Sequence, residues 1–391
     1  MTGTIQYYNN QGNFCPTTRD CSGTYYPQSE FHAYVPVRDT RVYIRRDSDS
    51  AIIGQGSTNA GGQFTISWSI PGGTGDVQAN LIWVGEHKDG RFAIRASDGS
   101  QYIFWTMPFT LHSHGTDSVG ALSWGTENSP NPIANVYDGA WRTWRQFSLS
   151  NRLVTYFTGV EIRYPSSDCP TSCTSGSDKL VKLDPDSAYA PQARVMHELG
   201  HVASYVSNRD QSRSLSNDYC YPNTGGNCGW SLQTAEWSQD AFEEGFATFA
   251  GDTALASPWS TAPHTCYQSA AACSTGHHNE ESSPGATGQC ASDENRFPLS
   301  VVRYLWDAYD FNVDYPTETL ARDPHEFFDT LNSFDNGRDN HQKDEPQCCI
   351  LGYCYLCTRD GRSAVDFKWN WANWGTDSSS AWTNNCSPTG D

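Results

Sequence analysis

The sequence predicts a multidomain α+β protein: a β-sandwich in the first third, then a domain with a small sheet and a mostly helical, disulfide-rich C-terminal part. Three observations predict it. Short alternating apolar runs separated by Gly, Asp and Ser turns fill residues 1–115, as in a sandwich. Longer segments with helical periodicity follow residue 132. Fourteen cysteines lie mostly in close pairs within polar loops, the pattern of a disulfide framework. At 391 residues with 13% aromatics, the chain is long enough to bury more than one core.

The sandwich segment reads as strands at Arg41–Arg45, Gln63–Ile70, Ala79–Val84, Phe92–Ala96 and Tyr102–Leu111. In Val37–Ile70 a strand, a polar turn and the hairpin Asn59-Ala60-Gly61-Gly62-Gln63-Phe64 follow one another. This order resembles the transthyretin-like, carboxypeptidase-regulatory type of sandwich. Residues 1–115 are expected to form an accessory domain with no catalytic group, since the segment alternates like a sandwich and the motif-bearing helices lie after residue 132. Residues 116–132, rich in Ser, Gly, Thr, Asn and Pro, read as the linker. His112 and His114 precede it; two histidines in a turn are either solvated or a metal site.

Residues 133–391 form the second expected domain. Asn131-Pro132 is a helix start signal, which opens a helix over Ile133–Phe147. Leu153–Tyr164 and Lys179–Leu183 read as strands. Further helices are expected from Pro191 to about Val206, over Thr234–Ala256 and over Phe297–Tyr309. No repeat is visible.

Composition narrows the function. A formal net charge of −19 argues against nucleic acid, whose phosphates need clustered Lys and Arg, and against an anionic membrane surface. No apolar run approaches the roughly 20 residues of a membrane-spanning helix. The cysteine pairs, among them Cys15/Cys21, Cys169/Cys173, Cys220/Cys228 and Cys266/Cys273, suit an oxidising compartment. The cluster Cys348, Cys349, Cys354 and Cys357 reads as disulfides or as a second zinc site. The expectation is a secreted, extracellular monomer. Met1–Gly12 lacks a basic start and an apolar stretch, so its signal peptide is expected to have been removed.

The chemistry is carried by Val195-Met196-His197-Glu198-Leu199-Gly200-His201-Val202. Residues four apart on a helix share a face, so His197 and His201 can meet one ion. Glu198 is turned about 100° away and can reach a water beside that ion. Val195, Leu199, Val202 and Val206 form an apolar stripe on the other side. A catalytic zinc site needs a third protein ligand and an open position. A third histidine in an H-E-x-x-H-x-x-G-x-x-H pattern is excluded, because Ser204 and Ser207 stand there. A Glu on a following helix is the other option, and Asp240-Ala241-Phe242-Glu243-Glu244-Gly245-Phe246-Ala247 offers two.

H-E-L-G-H followed by E-E-G-F-A resembles the gluzincin metallopeptidases, whose third zinc ligand is a Glu in an N-E-G-F-A-like stretch. The resemblance covers roughly residues 133–310 and implies a zincin-like domain with one catalytic Zn²⁺. It carries the ligand role to Glu244, which directly precedes Gly245-Phe246-Ala247, with Glu243 in the place usually held by Asn. Ala241, Glu244, Gly245, Thr248 and Gly251 also share a face of small residues, suited to close approach to the histidine helix. The segment between His201 and Glu244 is longer than in the commonest members and contains Cys220, Cys228 and Gly225-Gly226.

The resemblance further implies Glu198 as general base on a metal-activated water. An edge strand, at Thr158–Tyr164 or Lys179–Leu183, pairs with an extended peptide or protein substrate. A Tyr about sixty residues beyond the third ligand donates to the oxyanion. Tyr304 sits at that distance; Tyr309, His264, His277, His278, His325 and His341 are the other candidates. Asp307 or Asp310 is a candidate partner for a ligand histidine. The reading is a secreted zinc-dependent endopeptidase. The same motif serves a zinc hydrolase acting on glycoproteins or a non-peptide substrate, and a secreted binding protein with a structural metal has no need of Glu198.

Overall fold

The computed structural model describes residues 1–9, 33–70, 75–113, 117–126, 129, 131–169, 172–175, 177–184, 191–207, 238–255, 264–265, 278–279, 298–309, 326–328, 347–350 and 353–356. Content is mixed α and β, with large sheets and few helices. In chain order the elements begin with β1 (Thr2–Asn9), β2 (Ala33–Pro36), β3 (Thr40–Arg46), β4 (Ile52–Ser57) and β5 (Gln63–Thr65). Next come β6 (Val77–His87), β7 (Phe92–Arg95), β8 (Ile103–Trp105), β9 (Phe109–Leu111) and β10 (Ser118–Trp124). Helices α1 (Pro132–Phe147) and α2 (Asn151–Tyr156) precede β11 (Val160–Arg163), β12 (Cys173–Ser175) and β13 (Leu180–Lys182). Then follow α3 (Pro191–Ser207), α4 (Ser238–Leu255), the β14–β15 pair (His264–Thr265, His278–Asn279), α5 (Pro298–Tyr309) and the β16–β17 pair (Gln347–Ile350, Tyr353–Leu356).

Two compact units emerge. One comprises Met1–Arg145, Phe157–Glu198 and Cys266–His277; the other comprises Gln146–Tyr156, Leu199–Thr265 and His278–Asp391. The first holds both large sheets, in a sandwich-like arrangement of β strands. A four-stranded sheet runs β10-β1-β2, with β5 also on β1. A nine-stranded sheet runs β12-β13-β11-β7-β6-β3-β4, with β8 and β9 also on β6. Strand β6 is long enough to pair β3 along one edge and β9, β8 and β7 in succession along the other. The Asn59–Phe64 hairpin forms as the sequence requires. Asn59 Oδ1 accepts from the Gly61 and Gln63 amides at 2.9 and 3.0 Å, and Gly62 takes a positive φ of 71° open to glycine.

Three sequence expectations change here. The linker expected at 116–132 contains β10, which pairs in parallel with β1 through Thr2↔Ser118 to Tyr7↔Trp124. Its Gly- and Ser-rich side chains hide this, because the pairing uses backbone groups alone. The sheet also crosses the expected boundary: β11 pairs in parallel with β7, with Val160 opposite Phe92 and Ile162 opposite Ile94. Residues 1–115 and 133–391 therefore share one sheet instead of meeting at a linker. The strand expected over Leu153–Tyr164 divides into α2 and β11. Ser150 opens α2, its Oγ accepting from the Leu153 amide at 3.3 Å. Such a cap overrides the β preference of Leu153–Tyr156.

Helix α1 starts where its signal stands. Asn131 Oδ1 accepts from the Ile133 and Ala134 amides at 3.0 and 3.3 Å, and Pro132 occupies the first turn, where its missing N–H costs nothing. The helix is tied to the sheets by polar as well as apolar contacts. Asp138 receives Arg38 Nη1 at 2.8 Å and Arg142 Nε at 2.7 Å. Burial alone pushes the Asp138 carboxyl up, but Arg142 and Arg38 outweigh it and hold the pKa below its ordinary value. Tyr137 OH donates to the Arg38 carbonyl at 3.0 Å. Trp83, Tyr7, Tyr137, Phe92 and Phe157 are fully buried in this unit. In the second unit the core is aromatic: Phe246 packs edge-on to Phe328, and Phe249 contacts Phe327 and Tyr309. No described helix is long and apolar enough to cross a membrane.

Of the cysteine pairs read from the sequence, Cys169 and Cys173 form a disulfide. The pairs Cys15/Cys21, Cys220/Cys228 and Cys266/Cys273 lie outside the described residues. So do His114, His277, His325, His341 and Asp310.

Candidate metal centre

Helix α3 carries the H-E-L-G-H stretch with the orientation its stripe predicts. Val195, Leu199, Val202 and Val206 are all fully buried. Burying four such side chains stabilises the helix by about 1.5–3 kcal/mol each, an upper estimate. That sum exceeds any propensity term and fixes the rotation of the helix. Near its start α3 lies close to α1. A Cβ added to Gly139 would sit 2.7 Å from Val195 Cγ1 and 3.0 Å from Gln192 Cα. Gln192 Nε2 also reaches Tyr7 OH at 3.3 Å and Asp138 Oδ2 at 3.4 Å.

Further along, α3 meets α4. A Cβ on Gly200 would fall 2.7 Å from both Cα and the carbonyl oxygen of Ala247, so the two backbones approach as only glycine allows. The small-residue face expected on α4 is thus used differently. The close approach to the histidine helix is made by Gly200 against Ala247. Gly245 instead faces α5, where its Cβ would meet Val301 Cβ at 2.6 Å.

His197, His201 and Glu244 come together: each offers a ligand atom, and these atoms lie within 4.8 Å of one another. His197 and Glu244 are buried, and His201 is partly so. His201 Nε2 stands 3.4 Å from Glu244 Oε2. Two atoms each bound to one zinc at about 2.0–2.1 Å in tetrahedral geometry are roughly 3.3–3.4 Å apart. A direct charge-assisted hydrogen bond would be about 2.7–2.9 Å. The spacing is compatible with two ligands of one ion. Two imidazoles and one carboxylate also suit zinc and related divalent ions. A buried carboxylate costs several kcal/mol of solvation, which a bound cation offsets. The residues present fit a metal ion.

The choice between adjacent glutamates is visible. Glu243 Oε2 accepts a hydrogen bond from Ser204 Oγ at 2.6 Å, so Ser204, which stands where the third-histidine pattern has its glycine, serves as partner to the glutamate that is not in the ligand group. Glu198 is also buried. Its Oε2 receives Thr174 Oγ1 at 2.5 Å, and the same hydroxyl is 3.2 Å from the Glu198 carbonyl oxygen. Thr174 escaped the sequence reading: it lies 24 residues before Glu198, in a polar stretch with no periodicity.

Compared with known protein families, characterised proteins and solved structures, the chain matches none.

The edge strand is also relocated. Strand β11 lies between β13 and β7, and β13 between β12 and β11, so among the described residues this side of the sheet ends at β12, antiparallel to β13. Neither strand read from the sequence is the edge. Tyr304 lies buried on α5, and His264 and His278 lie on the β14–β15 pair. His112 is exposed, with Nδ1 2.7 Å from Asp117 Oδ1. The metal-capable group found among the described residues is the one on α3 and α4.

Proposed function

We propose that this chain is a secreted zinc-dependent endopeptidase of the gluzincin type, with a zincin-like catalytic region and one catalytic zinc ion held by His197, His201 and Glu244. The observation that carries the reading is the gathering of those three ligand atoms within 4.8 Å, with Glu198 next in sequence to His197. A structural metal site has no need of Glu198, and a catalytic one does.

When bound, zinc supplies a Lewis acid and makes water more acidic. The chain's own residues do the rest. Glu198 accepts a proton from the water that attacks the scissile carbonyl and returns it to the leaving amine. Burial strengthens each of these electrostatic interactions relative to water. The outer edge of β12 offers backbone groups to an extended peptide, which gives affinity with little side-chain preference. Tyr304 is the candidate donor to the oxyanion, a role carried over from the gluzincin resemblance. Secretion rests on the cysteine content and on the Cys169–Cys173 disulfide.

The test pairs metal analysis with cleavage profiling on a mixed peptide library. One zinc per chain is expected, with internal cleavage that Glu198→Gln reduces by about 10²–10⁴ while zinc is retained. Less than half an equivalent of zinc in a folded, zinc-supplemented chain overturns the reading. So does a Glu198→Gln variant that keeps a third of the activity. Cleavage of glycans or small esters but no peptide would select the other hydrolase reading.

A further inference from the structure

Resting on the peptidase reading, we infer that Thr174 is a positioning residue for Glu198, holding its Oε2 and leaving Oε1 as the oxygen open to the attacking water. The Thr174 hydroxyl has one proton to donate. Of its two acceptors, the Glu198 carboxylate at 2.5 Å takes it, and the carbonyl at 3.2 Å is the weaker. Oε2 is thereby engaged. Among the described residues no donor reaches Oε1. Oε1 is therefore the carboxylate oxygen left open. The bond also fixes the carboxylate plane, which otherwise turns freely about its last torsion.

The strand that carries Thr174 is built to hold still. It has three residues and, among the described residues, one partner strand, so its ladder with β13 is a weak anchor by itself. Three further ties flank it. The Cys169–Cys173 disulfide closes on its first residue. Ser172 Oγ accepts from the Asp184 amide at 3.3 Å, joining the start of β12 to the end of β13. Ser175 Oγ donates to Asp178 Oδ2 at 2.7 Å across the turn. In the register Thr174 stands opposite Val181, which is fully buried, so its side chain shares the inward face of the sheet. The same strand that would receive the substrate thus also sets the base, and the two are aligned by one backbone.

The test uses the full zinc-loaded chain, a quenched-fluorescence peptide that it cleaves, and the variants Thr174→Val, Thr174→Ser and Glu198→Gln. Thr174→Val keeps the shape and removes the hydroxyl. It is expected to lower kcat about tenfold or more with KM within twofold and zinc content unchanged. Thr174→Ser is expected to restore kcat to within about threefold. A readout independent of turnover is the Glu198 carboxyl ¹³C resonance of the zinc-free chain, identified by its loss in Glu198→Gln. It should move in Thr174→Val and stay in Thr174→Ser. If Thr174→Val does not fold, Thr174→Ala serves as the hydroxyl-free variant. Unchanged kcat in the hydroxyl-free variant, a serine variant as poor as valine, or an unmoved resonance each overturns the inference. Equal inactivity of the wild-type and Glu198→Gln chains overturns the peptidase reading instead. The resonance then still reports whether Thr174 holds the carboxylate.

Discussion

Glu243 and Glu244 are adjacent, equally acidic and on one helix, yet their surroundings give them different work. Glu244 stands beside His201 and Glu243 accepts from Ser204. Glu244→Ala is therefore expected to weaken zinc binding by at least tenfold, and Glu243→Ala by less than threefold. Chelator competition on both variants measures this, and the reverse order would shift the ligand assignment by one residue. A second residue-scale consequence lies away from the metal. His87 is buried against Phe92 and Trp144, and its Nδ1 accepts from the Asp89 amide at 3.2 Å. Burial lowers its pKa from 6.5 to about 4, although Asp39 and Asp89 pull the other way. The unfolded chain then binds a proton that the folded one refuses. Stability is lost as pH falls from about 6.5 towards 4, on the order of 2–3 kcal/mol from this group. His87→Gln should flatten that part of the curve. Unfolding at pH 7 and 4.5 for both chains checks it, and parallel slopes would remove His87 from the account.

At the scale of elements, the crossing of α3 and α4 decides whether a metal site exists. Gly200→Ala improves helix propensity by about 1 kcal/mol. Its new Cβ meets main-chain atoms of Ala247 at 2.7 Å, and backbone cannot turn aside as a side chain can. Overpacking of this kind costs about 1–3 kcal/mol, so the steric effect wins or nearly cancels the gain. Stability is accordingly a blunt readout. Metal affinity is the sharp one, because displacing Ala247 also displaces Glu244, one turn earlier on the same helix. Zinc affinity is expected to fall about tenfold or more while the melting temperature drops by only a few degrees. A variant that binds zinc as the parent does would show that the crossing tolerates a methyl group. The same logic explains why the edge strand was assigned wrongly from sequence. Val160–Arg163 and Leu180–Lys182 carry the aliphatic side chains Val160, Ile162, Leu180 and Val181, and these reflect interior places in the sheet. The edge went to the polar segment Cys173–Ser175, as exposure on one side favours.

For the first unit as a whole, the shared sheet changes what a truncation should do. A chain of residues 116–391 was expected from the sequence to act on a short peptide by itself. It would lack β7, leaving β11 paired with β13 on one side and Val160 and Ile162 without Phe92 and Ile94 opposite them. It would also lack Arg38, leaving Asp138 with half of its cationic support. Exposing two aliphatic side chains costs about 1.5–3 kcal/mol each, and breaking a buried ion pair about 3–5 kcal/mol. Together these approach the whole stability of a typical domain, about 5–15 kcal/mol. The truncated chain is expected to lose its cooperative melt and its zinc. Circular dichroism and metal analysis after expression in an oxidising host decide it. A cooperative transition with one bound zinc would restore the first third as a separable accessory domain.

How much of this was legible in the sequence follows from range. Local signals were sufficient for the helices: Asn131-Pro132 opens α1, and the 3.6-residue stripe of Val195, Leu199, Val202 and Val206 orients α3 with both histidines on one face. The pairing of His197 with His201 needs only the helical repeat, so the sequence by itself determined two candidate ligands and the neighbouring Glu198. The third candidate ligand was reached through the gluzincin resemblance and the small-residue face of its helix, which both favoured Glu244; the Ser204 hydrogen bond to Glu243 appears only in the tertiary structure. Strand β10, the β7–β11 pairing and the edge position of β12 were decided by tertiary structure alone. Backbone hydrogen bonding between strands leaves no mark on side-chain pattern and joins residues as distant as Thr2 and Ser118. Thr174 is the same case at the site: its hydroxyl acquires a role only when the end of a sheet brings it to Glu198, and no periodicity connects residues 24 positions apart on different elements.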